Sequence, residues 1–357
     1  MNNPFKLGSI VDGDFFTDRG EELLQIERML NSDNHIILIS PRRFGKSSLV
    51  QCAISKVSRP SIVLNLQSVV SETDFASRLL KQLFKLYPWE KVKHYMSHFR
   101  IVPTITTTPM TDQMEVSFMP SMSDASVVVE DVMQLLDTVS KPEKKLIIVL
   151  DEFQEVISIR KGFDRQLRSI MQTQKNINYV ILGSQESMME EIFEKKKSPF
   201  YHFGQLMRLN KIPKDDFYQY IIERLPKTDD SGKIAEEILQ FTLCHPYYTQ
   251  QLASQVWNLM YYENTIDNVV TKSIEVLVRM HDLDFERLWM NFNKTDRRIM
   301  QELCLHPNQS LMTNRGLASS TIFSSIKRLM KQGYVIKTTS YEVEDPFFRQ
   351  WIVKTQE

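Results

Sequence analysis

The residues best suited to chemistry lie between Ile36 and Leu49, IILISPRRFGKSSL, where four apolar residues give way to Ser40, Pro41, Arg42, Arg43, Phe44, Gly45, Lys46, Ser47 and Ser48. A strand that feeds a tight loop opening a helix leaves the first helical N–H groups without intrahelical partners and aimed at any nearby anion. In such a cradle Lys46 would neutralise nucleotide phosphates and Ser47 would ligate Mg²⁺. The spacing departs from the full phosphate-loop pattern at one place. Ser40 stands where glycine is usual, and Pro41 behind it fixes φ and supplies no donor.

A second constellation supports the first. Leu146 to Phe153 reads LIIVLDEF, an apolar run suited to a strand buried on both faces of a parallel sheet, with Asp151 at its carboxyl end. A Mg²⁺ bound to a nucleotide needs a carboxylate there. Glu152 follows directly, where its carboxylate would activate the attacking water as a general base. The run YVILG then leads into Gly183-Ser184-Gln185-Glu186-Ser187 at the same edge. Ser184, or Gln185 after it, would orient that water or sense the γ-phosphate, or else merely cap a helix. A strand ending in Asp-Glu is common alone, and so is a lysine at a helix start. Their joint occurrence with Gly45 and Ser47 is what points to ATP or ADP with Mg²⁺, and makes Lys46, Glu152 and Ser184 the catalytic candidates and Ser47 and Asp151 the metal ligands.

Those residues need a scaffold, and the hydrophobic periodicity outlines one. A helix is expected over 18–30, strands at 36–39, 61–66, 146–151 and 179–183, and helices over 73–86 and 127–139. Strands alternating with helices predict an α/β fold with a parallel, doubly wound sheet. The stretch from Tyr87 to Ala125, rich in Thr, Met, Pro and Ser, reads as an inserted hairpin or a mobile loop. Helical periodicity takes over from Asp215, as expected of a helical lid, broken at Cys244-His245-Pro246-Tyr247-Tyr248, where a proline suits a helix start. Helices over 295–305 and 319–331, a stop at Gly333 and an alternating stretch from Tyr334 to Glu344 predict a winged helix-turn-helix. The polar face of its second helix offers Ser324, Ser325, Lys327, Arg328 and Lys331 for phosphate contacts with DNA, although winged helices also serve as protein contacts. The expected domains are therefore a P-loop NTPase domain at 1–212 with an insertion at about 88–125, a lid at 213–285 and a winged helix at 286–357.

Composition narrows the remaining classes. The chain has 357 residues, 42% hydrophobic and 25% charged, enough for two or three domains with substantial cores. Lys plus Arg and Asp plus Glu both total 44, so no global charge draws the chain to nucleic acid or membrane. Cys52, Cys244 and Cys304 match no disulfide or metal spacing, which suits a reducing compartment. Without an apolar signal core or a membrane-length run, the expected location is the cytoplasm.

The motifs jointly resemble the archaeal-type ATPases of the STAND class, signal-transducing P-loop ATPases related to AAA+ proteins, over nearly the whole chain. Phe16-Thr17-Asp18-Arg19-Gly20-Glu21-Glu22-Leu23 is similar to the family's N-terminal phenylalanine, arginine and glutamate motif, SPRRFGKSSL to its phosphate loop and LDEFQEV to its acidic strand. HPYY resembles the motif opening a lid helix, and DPFFRQWI, Asp345 to Ile352, the C-terminal signature. The resemblance implies an AAA+-like helical lid, with Phe16, Arg19 and Pro246 flanking the adenine and His245 near the phosphates. It implies an ATP-driven switch that repositions the lid and winged helix, with a DNA or protein partner, or a second copy of the chain, as its effector. A DNA-binding regulator that uses ATP only as a ligand, and a scaffold with a structural nucleotide, are the alternatives.

Overall fold

The computed structural model describes residues 2–8, 19–32, 34–97, 99, 103–108, 113–118, 124–306, 317–338 and 340–356. Phe16 to Asp18 of the N-terminal motif lie outside these residues. The chain divides into two compact units, one made of Gly20–Ser40 and Leu49–Leu209, the other of Met1–Arg19, Pro41–Ser48 and Asn210–Glu357.

The first unit is the α/β unit. Its strands are β1 (Ile36–Ile39), β2 (Ser61–Asn65), β3 (Pro103–Thr108), β4 (Gln113–Phe118), β5 (Leu146–Asp151), β6 (Ile177–Gly183) and β7 (Gln205–Arg208). Five of them form a wholly parallel sheet in the order β2-β5-β6-β1-β7. β6 thus stands in space between the phosphate-loop strand β1 and the acidic strand β5. β1 and β6 are buried throughout, and β5 up to its final Asp151, as apolar strands covered by helices on both faces must be. The edge strands differ. β2 alternates buried and exposed residues, and β7 buries only Met207, which is why its sequence, QLMR, carries no strand signal.

Helix Glu72–Leu86 starts at Ser71, whose side chain accepts from the Asp74 N–H, and sends Phe75, Leu79 and Leu83 into the core at intervals of one helical turn. Helix Ala125–Val139 adds Val128, Val132, Leu135 and Leu136 to the same cluster. The insertion contains a helix, Trp89–Met96, and the antiparallel pair β3–β4. The hairpin was one of the two expectations for this stretch. The helix had no clear sequence signal, because only Val92 and Met96 are buried along it.

At the amino end of the sheet, Arg59 donates to the carbonyl oxygens of Lys145 (2.8 Å) and Leu30 and to Asn178 Oδ1 (2.5 Å), bracing the entries to three strands. His35 lies beside them. Its Nδ1 accepts the Tyr179 N–H at 3.2 Å, and its ring stacks on Phe203 at 4.4 Å.

The second unit is helical around one continuous apolar cluster. Helices Lys214–Arg224, Ser231–Thr242, Pro246–Glu263, Val269–Met280 and Asp282–Asn291 are followed by Lys294–Leu305, Ser319–Gln332, the hairpin β8 (Val335–Lys337) and β9 (Tyr341–Val343), and helix Pro346–Gln356. Gly333 at φ +82 ends helix Ser319–Gln332, a left-handed position that suits glycine. Asp345 begins the last helix as its cap, Oδ1 accepting the N–H groups of Phe347 (2.8 Å) and Phe348 (3.1 Å), with Pro346 at the first helical position.

Two residues of the proposed DNA-facing row are engaged by a buried carboxylate. Ser325 is buried and donates to Asp296 Oδ1, and Arg328 Nε donates to Asp296 Oδ2 at 2.9 Å. Asp296 is itself buried in the first turn of helix Lys294–Leu305, and an uncompensated carboxylate there would be costly. That carboxylate turns Ser325 inward and engages the Arg328 guanidinium, whose side chain stays 43% exposed. Ser324, Lys327 and Lys331 remain exposed, next to Phe323 at 60% exposure.

Burial, with Arg168 and Lys145 nearby, lowers the His35 pKa from the usual 6.5 to about 4. The unfolded chain therefore takes up this proton at a higher pH than the fold does. The contribution to stability is complete above pH 6.5 and is lost as pH falls toward 4. Urea unfolding across that window should show a loss of up to about 3 kcal/mol that is absent in His35→Gln, and parallel pH profiles would refute the assignment.

Candidate functional site

The phosphate loop belongs to the helical unit as far as Ser48. Arg43 (φ 62°) and Gly45 (φ 86°) both adopt left-handed backbone within three residues. Such alternation turns successive N–H groups toward one side and forms an anion-binding concavity. A side chain at Gly45 would meet nothing within 4 Å, so the left-handed φ, not lack of space, favours glycine there. Lys46 opens helix Lys46–Lys56, buried to 6% exposure, with Nζ donating to the Pro41 carbonyl at 3.0 Å. Ser47 follows in the same first turn, and Ser48 is buried behind it.

Three groups of the helical unit hold this loop. Arg19 is buried and donates to the carbonyls of Phe44 (3.2 Å) and Asn210 (2.8 Å). The buried Phe44 ring meets His245 edge-on at 4.9 Å. Arg43 Nη1 donates to the Tyr248 hydroxyl at 2.8 Å, and that hydroxyl donates to Glu344 Oε2 at 2.6 Å. The Arg43 guanidinium also lies 4.8 Å from the centre of the Tyr247 ring, within cation–π range. The loop is therefore joined to the lid motif HPYY and to the residue preceding DPFFRQWI.

His245 and Pro246 sit where helix Pro246–Glu263 begins, after Leu243 and Cys244, both at positive φ. His245 is 2% exposed. Its Nε2 is 3.4 Å from Glu344 Oε1, an electrostatic contact without hydrogen-bond geometry, and Nδ1 has no hydrogen-bond partner. Burial lowers the His245 pKa and outweighs the opposing attraction of Glu344, so the ring is neutral at pH 7. Among the candidates in this unit, Arg19, Arg43, Phe44 and His245 come together in this assembly. Tyr248 and Glu344 complete it, and reading along the sequence missed both.

In the α/β unit, β1, β5 and β6 end side by side. Ile39 is in register with Gly183, the Ser40 N–H donates to the Gly183 carbonyl at 3.3 Å, and Ser40 is fully buried. Asp151 closes β5, where its Oδ1 accepts the Glu152 N–H at 2.9 Å. Glu152 has left-handed backbone (φ 53°, ψ 48°), an uncommon geometry for a non-glycine residue. Its Oε2 accepts two hydrogen bonds, from Ser184 Oγ and from Gln154 Nε2, both at 2.5 Å. Ser184 is thus directed at Glu152, and Gln185 only opens helix Glu186–Phe193 without a side-chain cap bond. Gln154, 1% exposed, is a further functional candidate whose sole sequence signal was its place in LDEFQEV.

The phosphate loop fits a nucleotide phosphate. The left-handed turns at Arg43 and Gly45 form the cradle, and Lys46 supplies the positive charge. Among the described residues no group of three or more His, Cys, Asp or Glu is placed to hold a metal ion. A Mg²⁺ bound by one hydroxyl, one carboxylate, phosphate oxygens and water requires no such cluster.

A parallel sheet with an acidic central strand and a glycine-lysine-serine loop defines a P-loop NTPase fold. Residues 16–252 match the model of an ATPase domain predominantly from Archaea, and the chain belongs to that family. No curated protein matches the sequence. Among solved structures, the Walker-type ATPase PABY2304 of Pyrococcus abyssi is similar at a TM-score of 0.67 and 16% identity, covering 98% of this chain and 99% of that one. The Aeropyrum pernix ORC2 protein, in ADPNP-ADP complexes, gives 0.57 at 13% identity over 95% and 94% of the two chains. The ORC1 protein of the same organism, in complex with DNA, gives 0.51 at 11% identity over 96% and 94%. At these identities the likeness concerns the fold. No helix among the described residues is long and apolar enough to cross a membrane.

The Tyr248 hydroxyl is both acceptor for Arg43 and donor to Glu344. Tyr248→Phe should lower the unfolding free energy by about 1–3 kcal/mol in urea titrations. Combined with Arg43→Ala it should cost less than the sum of the two single changes, and strict additivity would show that Arg43 does not depend on this hydroxyl.

Proposed function

We propose that the chain is a Mg²⁺-dependent ATP-hydrolysing switch of the STAND class, whose nucleotide state is read by a helical lid and a C-terminal winged helix. The observation that carries this reading is Glu152, held by Ser184 and Gln154 directly after Asp151 in a chain whose family is an ATPase family. A protein that only bound nucleotide would need the phosphate loop but no oriented carboxylate after the metal-binding aspartate.

In this reading Lys46 neutralises charge on the β- and γ-phosphates, and Ser40 to Ser48 wrap them. Ser47 and Asp151 would hold Mg²⁺, which when bound supplies charge neutralisation between the phosphates. Glu152 takes the proton of the attacking water, and Ser184 and Gln154 act as positioning residues. Arg19 and Pro246 would flank the adenine, while His245, neutral and with its Nδ1 unbonded, would lie toward the phosphates. Arg42 and Arg43 add positive charge around the loop. The functional division is an ATPase domain at 1–212, a lid at 213–285 and a winged helix at 286–357, with a protein partner or a second copy of the chain as effector.

A DNA-binding regulator with little turnover is the second reading. It is favoured by the exposed Ser324, Lys327 and Lys331 and by the likeness to the ORC1 protein solved in complex with DNA. The burial of Ser325 and the pairing of Arg328 with Asp296 weaken it.

ATP binding and steady-state hydrolysis with Mg²⁺ decide between them. Lys46→Ala should abolish nucleotide binding, and Glu152→Gln should keep binding while turnover falls by at least about 100-fold. Unchanged affinity in the first variant, or unchanged turnover in the second, would overturn the corresponding role. Wild-type binding without turnover, together with salt-sensitive duplex binding lost in Lys327→Ala, would favour the DNA-binding regulator.

A further inference from the structure

A groove of about 690 Å³ opens at the amino end of β2 in the α/β unit, at the sheet edge opposite Asp151. Its volume falls within the range of small-molecule sites. None of Ser40 to Ser48 lines it, so it is a separate space from the phosphate loop.

The described residues of the lining include three lysines and no carboxylate. Lys141 and Lys144 rise from one tight turn, in which the Lys144 N–H donates to the Lys141 carbonyl at 3.0 Å. Both are exposed, and neither side chain makes a hydrogen bond or ion pair among the described residues. Lys91 Nζ donates to the Val139 carbonyl at 3.4 Å and lies 4.6 Å from the centre of the Tyr87 ring, so neutral groups hold it close to the start of that turn. Glu90 and Glu143, chain neighbours of these lysines, are exposed outside the lining and pair with none of the three. Arg59 adds a fourth positive charge, with donors committed to Lys145, Leu30 and Asn178.

Other lysines of this unit are neutralised. Lys56 meets Glu27 and Lys195 meets Glu191, each at 2.9 Å. Like charges that converge on one groove without a counter-charge repel one another, and a bound anion would relieve that repulsion. Lysine ammoniums bind phosphate and carboxylate groups as point charges, and the Ser58 and Ser61 hydroxyls of the same lining offer further donors. The half-buried Val57 and Leu86, the latter 38% exposed, give the groove an apolar patch as well.

We infer that this groove binds a small organic polyanion, a molecule with two or more phosphate or carboxylate groups on a short carbon frame, held by Lys91, Lys141 and Lys144. Three converging charges favour a ligand with more than one negative charge, and the apolar patch favours a carbon frame over a bare inorganic ion. The inference does not rest on the ATP-switch reading.

Calorimetric titration of the full chain with propane-1,3-bisphosphate and with propane-1,2,3-tricarboxylate tests it. The titrations use the Lys46→Ala background, in which the phosphate loop does not compete for the probes. One equivalent of at least one probe should bind saturably; a preference for the bisphosphate would mark phosphorylated ligands, and a preference for the tricarboxylate would mark polycarboxylates. Lys141→Gln together with Lys144→Gln should weaken that binding at least about tenfold. Lys196→Gln together with Lys197→Gln removes the same charge from an exposed stretch elsewhere in the unit and should leave it unchanged. Thermal melts verify that each variant is folded. Binding of neither probe, equal weakening in the two double variants, or uptake of several equivalents without saturation would overturn the proposal. A loop that never bound nucleotide would leave this test intact, because Lys46→Ala alters no residue of the groove.

Discussion

A parallel sheet covered on both faces has no tolerance for a charged side chain along its central strands. This constraint decides where chemistry can occur in the α/β unit. β1 and β5 are apolar along their buried lengths, β6 is apolar beyond Asn178 and Tyr179 at its amino end, and polar residues return at the carboxyl ends with Ser40, Asp151 and Ser184. Because all the strands run the same way, those ends share one edge. Exclusion of charge from the interior and concentration of function at the carboxyl edge are thus the same fact. The bracing by Arg59 lies at the opposite edge, where it holds strand entries.

Part of the backbone strain follows the same pattern, although His202, Asn264 and Asn268 also have positive φ away from these segments. Arg43, Glu152, Leu243 and Cys244 all adopt left-handed conformations that cost a non-glycine residue about 1–2 kcal/mol each. They fall in the phosphate loop, directly after Asp151, and directly before His245. Each is held by bonds or packing around it: Arg43 by Tyr248, Glu152 by Ser184 and Gln154, and the His245 turn by burial of the imidazole. A relaxed alternative would point each of these side chains elsewhere, so the strain and the contacts that maintain it fix side-chain direction.

What could be read from the sequence follows from the range of the interactions. The phosphate loop and the acidic strand were legible because their signals are local: an apolar run, a glycine, then residues with one chemical task. The parallel sheet was legible for the same reason, since buried central strands are continuous apolar runs. β7 was not, because an edge strand with one inward side chain has no such run. Nor were Tyr248 and Glu344 identifiable as partners of the loop, since Arg43 and Tyr248 are 205 positions apart and Tyr248 and Glu344 are 96 apart. The bonds of Ser325 and Arg328 to Asp296 were hidden because helical periodicity places both on a polar face, and their partner lies 29 and 32 positions earlier.

In the proposed reading, the surroundings of Glu152 serve to orient its carboxylate. Every hydrogen bond donated to a carboxylate stabilises its ionised form and reduces its appetite for a proton. A cationic donor would do so most strongly. The structure instead uses two neutral donors, the Ser184 hydroxyl and the Gln154 amide, both on Oε2. Two neutral bonds at one oxygen set the plane of the carboxylate without placing a full positive charge against it. A carboxylate that must only balance charge gains nothing from this restraint, whereas one that must accept a proton at a defined place requires it.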